Sequence, residues 1–124
     1  MLTLKPLKQS FSICQVRDYS QVNWDSPYIF LSKTDQENSL VCSSQDVPDN
    51  AIEVDNGWSA FRIEGVLDFS LIGILSKLSA ILADNEIGIF AVSTYNTDYI
   101  LTKTTDFDRA MKVLEEKGYK IEKI

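Results

Sequence analysis

The sequence has 124 residues, 44% of them hydrophobic, a size that suits one ordinary domain or two very small ones. Its formal net charge is −6, and acids outnumber bases in both halves. It therefore lacks the cationic surface that nucleic acids and anionic membranes require. The apolar runs are too short to span a membrane, and the first residues lack the features of a signal peptide, so we expect a soluble, cytoplasmic protein.

Side chains that carry chemistry are sparse. The chain has no histidine, which excludes a histidine-based catalytic triad and a histidine metal site. Cys14 and Cys42 stand alone in apolar, strand-like segments, where free cysteines are usually buried and inert. We therefore expect no enzyme activity, no metal and no cofactor. A catalytic site of another kind stays open as a third hypothesis, and it would need several titratable groups in one cleft.

The first half of the chain predicts strands but no full-length helix. Residues 10–16 alternate polar and apolar side chains, which is typical of a strand. Residues 28–33 and 39–43 predict a hairpin around a polar turn, and the Asn-Gly pair at 56–57 is a strong turn signal. We interpret residues 1–57 as a β-rich unit that is too small to be stable alone.

The second half alternates strand and helix patterns. Apolar residues recur at helical spacing in two segments, and short apolar or alternating runs lie between them. The predicted elements are a strand at 58–64, a helix at 70–84, strands at 87–95 and 98–103, a helix at 106–117 and a strand at 119–124.

Both predicted helices carry end signals. Asp68 or Ser70 can cap the first helix, because each side chain can accept a bond from a free backbone N–H group. Thr105 is the predicted N-cap of the second helix, and Gly118 is a natural residue to follow its end.

This order of elements, βαββαβ, is that of a ferredoxin-like α+β fold. Right-handed crossovers place both helices on one face of a four-stranded antiparallel sheet. We therefore predict a ferredoxin-like unit at 58–124 and a degenerate, β-rich unit at 1–57.

The segments Phe61–Gly65, Leu67–Leu75 and Ile89–Leu101 resemble the ACT-domain family, and the closest branch is the small bacterial proteins similar to the CASTOR arginine sensors. The resemblance covers residues 57–121. It is looser over residues 1–56, where family members carry a degenerate first ACT-like unit. It implies a non-catalytic regulatory module that binds amino acids or similar small metabolites at domain or subunit interfaces, with a homodimer as a possible assembly.

The same resemblance implies a ligand site with two walls. In the arginine sensors, the loop before the first helix and the strand that carries the polar turn line the pocket. Where those sensors have an acidic residue in the loop, this chain has Leu71, which argues against arginine itself. The implied ligand-binding residues are Asp68, Phe69, Ser70, Leu71, Ile72 and Gly73 in one wall, and Thr94, Tyr95, Asn96, Thr97 and Asp98 in the other.

A zwitterionic amino acid needs donors for its carboxylate and an acceptor for its ammonium group. The N–H groups at 70–73 would supply the donors, and Asp98 would supply the anion, with Asp68 as a second candidate. Each role has an alternative. Asp98 can be a turn residue that bonds its own backbone, and Asp68 can be a plain helix cap. Tyr95 can cover the ligand or pack on the sheet, while Gly73 can admit the ligand or only bring the helix close to the sheet.

Two hypotheses of different classes follow. The first is a sensor that binds an amino acid between its two ACT-like units or across a dimer, and transmits its occupancy through an interface. The alternative is a structural or protein-interaction module that pairs through an exposed sheet edge and binds no metabolite. A pocket lined by residues 68–73 and 94–98 would favour the first.

Overall fold

The computed structural model describes residues 2–64 and 73–123. The contacts divide the chain into two compact units. Met1–Lys8 and Ser59–Ile124 form the first, which we call the αβ unit, and Gln9–Trp58 forms the second, which we call the β unit. The interpretation of the two halves as separate ACT-like domains stays a prediction.

The described residues form eight strands, two α-helices and one short 3-10 helix. In chain order these are β1 Thr3–Pro6, β2 Phe11–Val16, β3 Ile29–Lys33, β4 Asn38–Ser43, the 3-10 helix Ser44–Asp46, β5 Ala51–Ile63, α1 Ile74–Asp84, β6 Phe90–Ser93, β7 Asp98–Lys103, α2 Thr104–Glu116 and β8 Lys120–Ile121.

The β unit is an antiparallel sheet in the order β3-β4-β2-β5, to which β5 contributes its first part. The predicted hairpin of β3 and β4 is present. Cys14 and Cys42 are buried free cysteines, as the apolar context of each predicts. They pack in one cluster with Val16, Val22 and Leu40.

The Asn-Gly pair at 56–57 does not end a strand, contrary to the sequence prediction. Phe11 lies opposite Trp58 and Ile13 opposite Asp55, so the pair forms a bulge opposite the single residue Ser12. Gly57 has a positive φ of 84°, which a bulge can require just as a turn does. The predicted strand at 58–64 is therefore the end of the 13-residue strand β5.

The αβ unit has its strands in the order β8-β1-β5-β7-β6. The predicted four-stranded sheet is wrong in one respect, because β1 lies between β5 and β8. Leu4 pairs with Ile63 in an antiparallel register, and Thr3 pairs with Lys120 in a parallel one. The local pattern of residues 1–6 predicts a strand but not its neighbours, since these lie about 60 and 115 residues further along the chain.

Helix α1 begins at Ile74, four residues after the predicted start. Gly73 precedes it with a left-handed φ of 79°, which is incompatible with a helical turn at that residue. The predicted caps Asp68 and Ser70 lie outside the described residues. The apolar face is confirmed, since Leu78 and Leu82 are fully buried.

Two other boundaries differ from the predictions. The N–H groups of Asn85, Glu86 and Ile87 bond the last carbonyl groups of α1, so β6 is confined to Phe90–Ser93. Thr105 lies inside α2 and does not cap it. The other end of α2 is as predicted, because Gly118 follows it with a φ of 102°.

The core of the αβ unit lies between its sheet and the two helices. Phe61 of β5 packs against Phe107 of α2 with 6.3 Å between the ring centroids. No helix in the described part of the chain is long and apolar enough to cross a membrane. The buried members of this core are Leu4, Phe61, Ile63, Leu78, Leu82, Ile87, Ile100, Ala110, Leu114 and Tyr119.

We expect Leu4→Ala to lower the free energy of unfolding by about 2–5 kcal/mol, because Leu4 is fully buried between β5 and β8. The control is Ile52→Ala at a strand position that is 55% exposed, and it should cost less than about 1 kcal/mol. Urea unfolding followed by circular dichroism measures both values. Equal losses for the two variants would contradict the central position of β1.

Candidate ligand site

Several chain connections of the αβ unit meet at one end of its sheet. The pairing of Leu4 with Ile63 places the start of β1 beside the end of β5, and the pairing of Thr3 with Lys120 adds the start of β8. The Thr97 hydroxyl donates to the carbonyl oxygen of Ile63 at 2.7 Å, which brings the β6–β7 turn to the same end. Gly73, the residue directly before α1, comes after β5 in the chain.

The β6–β7 turn bonds largely within itself. The Thr94 N–H and hydroxyl groups both donate to the carbonyl oxygen of Thr97, at 2.8 and 3.0 Å. The Ser93 hydroxyl donates to the Asp98 carboxylate at 2.6 Å. This geometry supports the interpretation of Asp98 as a turn-forming residue. Tyr95 is 80% exposed, which argues against packing on the sheet.

An ion pair lies at the end of β5. The guanidinium group of Arg62 is 3.1 Å from the Glu64 carboxylate and donates to the Tyr99 hydroxyl at 3.3 Å. The hydrogen bonds to Glu64 and to Tyr99 both raise the pKa of Arg62, and the bond to Glu64 has the larger effect. Since Phe61 and Ile63 point into the core, the alternation of the strand places this ion pair on the other face of the sheet.

A cavity of about 430 Å³ opens between the start of α1 and the end of α2. Its volume is within the range of roughly 300–1,000 Å³ that is usual for small-molecule sites. Burial raises the pKa of the hydroxyl group of Tyr119, a residue that lines this cavity. The described lining residues are Leu2, Gly73, Ile74, Lys77, Lys117, Gly118 and Tyr119.

A second cavity, of about 330 Å³, continues along α1 and shares Lys77 and Lys117 with the first. Its other described lining residues include Asp84 and Asn85. The Asn85 carbonyl oxygen accepts a 2.6 Å bond from Arg109, which ties the end of α1 to α2. In the part of the chain that the structure describes, no group of Cys, Asp and Glu is arranged to hold a metal ion.

The predicted site residues fall into three groups according to whether the structure describes them and whether they line the larger cavity. Residues 68–72 lie outside the described residues. Gly73 lines the larger cavity, whereas none of residues 94–98 is among its described lining. The sequence prediction of the site did not include Lys77, which is exposed on α1, or Leu2, which reaches the cavity because β1 is inserted in this sheet.

Comparisons with known proteins identify the family. A model described as ACT domain matches residues 53–116, a little more than half of the chain. A solved structure from Agobacterium tumefaciens is 29% identical, covers 98% of this chain and 92% of its own, and superposes with a TM-score of 0.86. No curated protein matches the sequence.

More distant structures share the fold. One is a Vibrio cholerae protein of unknown function, described as a possible transport protein, with 14% identity, coverage of 93% and 88% of the two chains, and a TM-score of 0.71. Another is the Clostridium acetobutylicum aspartate kinase, described as an allosteric enzyme, with 14% identity and a TM-score of 0.65. The match covers 88% of this chain and 33% of the kinase.

We expect Thr97→Val to lower the free energy of unfolding by about 1–3 kcal/mol, because it leaves the buried Ile63 carbonyl group without its hydroxyl donor. Thr105→Val, at an exposed helical position, is the matched control and should change stability by less than about 0.5 kcal/mol. Thermal unfolding measures the difference. Identical melting curves would show that the turn is not fixed to β5 by this bond.

Proposed function

Because the chain belongs to the ACT-domain family, we propose that it is a non-catalytic regulatory module that binds a small molecule, most simply an amino acid. The observation that carries this proposal is the ligand-sized cavity that Gly73 lines at the start of α1. The β6–β7 turn reaches the same end of the sheet through the bond from Thr97 to Ile63. The absence of histidine from the sequence further supports a role without catalysis.

The ligand site that we propose keeps the two walls implied by the sequence. In this proposal the chain from Asp68 to Gly73 would form one wall and the turn from Thr94 to Asp98 the other. The β6–β7 turn is held rigidly by its own hydrogen bonds, and a preorganised wall reduces the ordering cost of binding. Membership of the arginine-sensor branch is a further proposal, and Leu71 argues against arginine as its ligand.

We expect at least one proteinogenic amino acid to raise the melting temperature. At a ligand concentration of 100 times Kd the gain in the free energy of unfolding is about 2.7 kcal/mol. The screen is differential scanning fluorimetry with each of the amino acids at millimolar concentration. If none of them shifts the melting temperature, amino-acid binding is wrong.

A charge-removing variant tests the role of Asp98. Asp98→Asn can still accept the bond from Ser93 but loses the negative charge. If Asp98 holds the ligand ammonium group, the variant weakens binding about tenfold. Asp108→Asn, at an exposed position of α2, is the control. Equal affinities for the two variants would assign Asp98 to the turn alone.

We propose that the protein forms a homodimer. The sheet edge also favours the alternative function, a protein-interaction module that pairs with another strand and binds no metabolite. Among the described strands, β7 is the partner of β6, and a strand at the edge of a sheet can accept another strand. Native mass spectrometry of the 14.0 kDa chain separates the two functions. A dimer that retains a small molecule supports the sensor, whereas a dimer that never binds any of the screened amino acids supports the interaction module.

A further inference from the structure

We infer that Lys77 and Lys117 form the anion-binding part of this site, and that the ligand is a carboxylate with an apolar substituent. The inference rests on the proposed function and assigns a chemical class to the ligand. Both lysines line the larger cavity and the smaller one beside it, so they lie at the junction of the two. They come from different parts of the chain, since Lys77 is in α1 and Lys117 directly follows α2.

Lys77 is exposed on α1, near the positive end of the helix. It lies one turn from the start of α1, where its N–H group bonds the Gly73 carbonyl oxygen at 2.8 Å. The amino end of a helix carries a partial positive charge and favours acidic groups. The first turn of α1 contains no acid, and Gly73 has no side chain that could cap it. A bound carboxylate would compensate these positive charges.

Neither lysine has a counter-ion in the described part of the chain. The ion pairs of Arg62 with Glu64 and of Arg109 with Asp106 involve neither lysine. Asp84 lines only the smaller cavity, and no described lining residue of the larger one is acidic. The larger cavity therefore has two positive charges in a chain whose net charge is −6.

The rest of the larger cavity defines the other part of the ligand. Leu2, Ile74 and Tyr119 provide apolar surface. The two glycines leave the backbone accessible, because a Cβ atom added at Gly73 or Gly118 would meet nothing within 4 Å. A ligand with an aliphatic or small aromatic substituent matches this surface, whereas a cationic side chain would be repelled by the two lysines.

Three related compounds test this assignment. L-Leucine has the carboxylate, the ammonium group and an aliphatic side chain. 4-Methylpentanoate keeps the carboxylate and lacks the ammonium group, and L-leucinamide keeps the ammonium group but lacks the carboxylate. We expect the first two to bind in isothermal titration calorimetry, and we expect leucinamide to bind at least tenfold more weakly than leucine.

The matched variants are Lys77→Gln/Lys117→Gln and the control Lys112→Gln. Lys112 is exposed on α2 and lines neither cavity. We expect the double variant to weaken leucine binding about tenfold, because it removes two charge-assisted contacts to the carboxylate from positions that are exposed to solvent. The control should bind as the unmodified protein does.

The outcomes separate this inference from the proposed function. If an amino acid binds with equal affinity to the double variant and to the control, the lysine assignment is wrong and the regulatory function stands. Equal binding of leucine and leucinamide also overturns it. If neither the three compounds nor any amino acid in the thermal screen binds, the inference and the proposed function fail together.

Discussion

The pairing of β1 with both β5 and β8 is the constraint on which the αβ unit depends. A four-stranded sheet from residues 58–124 alone would put β5 beside β8. Instead, the register of Leu4 with Ile63 and with Ile121 fills that gap and supplies a fully buried side chain to the core. It also carries Leu2 to the cavity that Gly73 lines, so this one inserted strand contributes both to the core and to the cavity wall.

The two parts of the proposed site differ in how their polar groups are satisfied. In the β6–β7 turn, Ser93, Thr94 and Thr97 direct their hydroxyl groups to acceptors of the turn or of β5. Such a turn provides shape and rigidity and has few groups left for a ligand. Lys77 and Lys117, in contrast, have no counter-ion in the described part of the chain. In the proposed site, the binding energy for a charged ligand would therefore come from the two lysines, and the turn, which is not among the described lining of their cavity, would add a rigid surface.

The sequence predicted the features of the fold that depend on local patterns of residues. The spacing of Phe107, Ala110 and Leu114 identified the apolar face of α2, and Gly118 marked its end. The Asn-Gly pair at 56–57 misled the prediction because turns and bulges both use a positive φ, and only the opposite strand distinguishes them. The cavity was not predictable from the sequence. In the sequence Lys77 is like any exposed helical lysine, and only the tertiary structure places it in the same cavity lining as Leu2 and Tyr119.

The negative net charge of the chain does not argue against an anionic ligand group. Charges further apart than the Debye length, about 8 Å at physiological ionic strength, are largely screened. The acids that dominate the total are distributed over both halves of the sequence, and Asp84 is the acid that lines the smaller cavity. A ligand carboxylate in the larger cavity would instead lie in a cavity that Lys77, Lys117 and the start of α1 line. These local charges argue against arginine independently of Leu71, because they disfavour its guanidinium group while favouring its carboxylate.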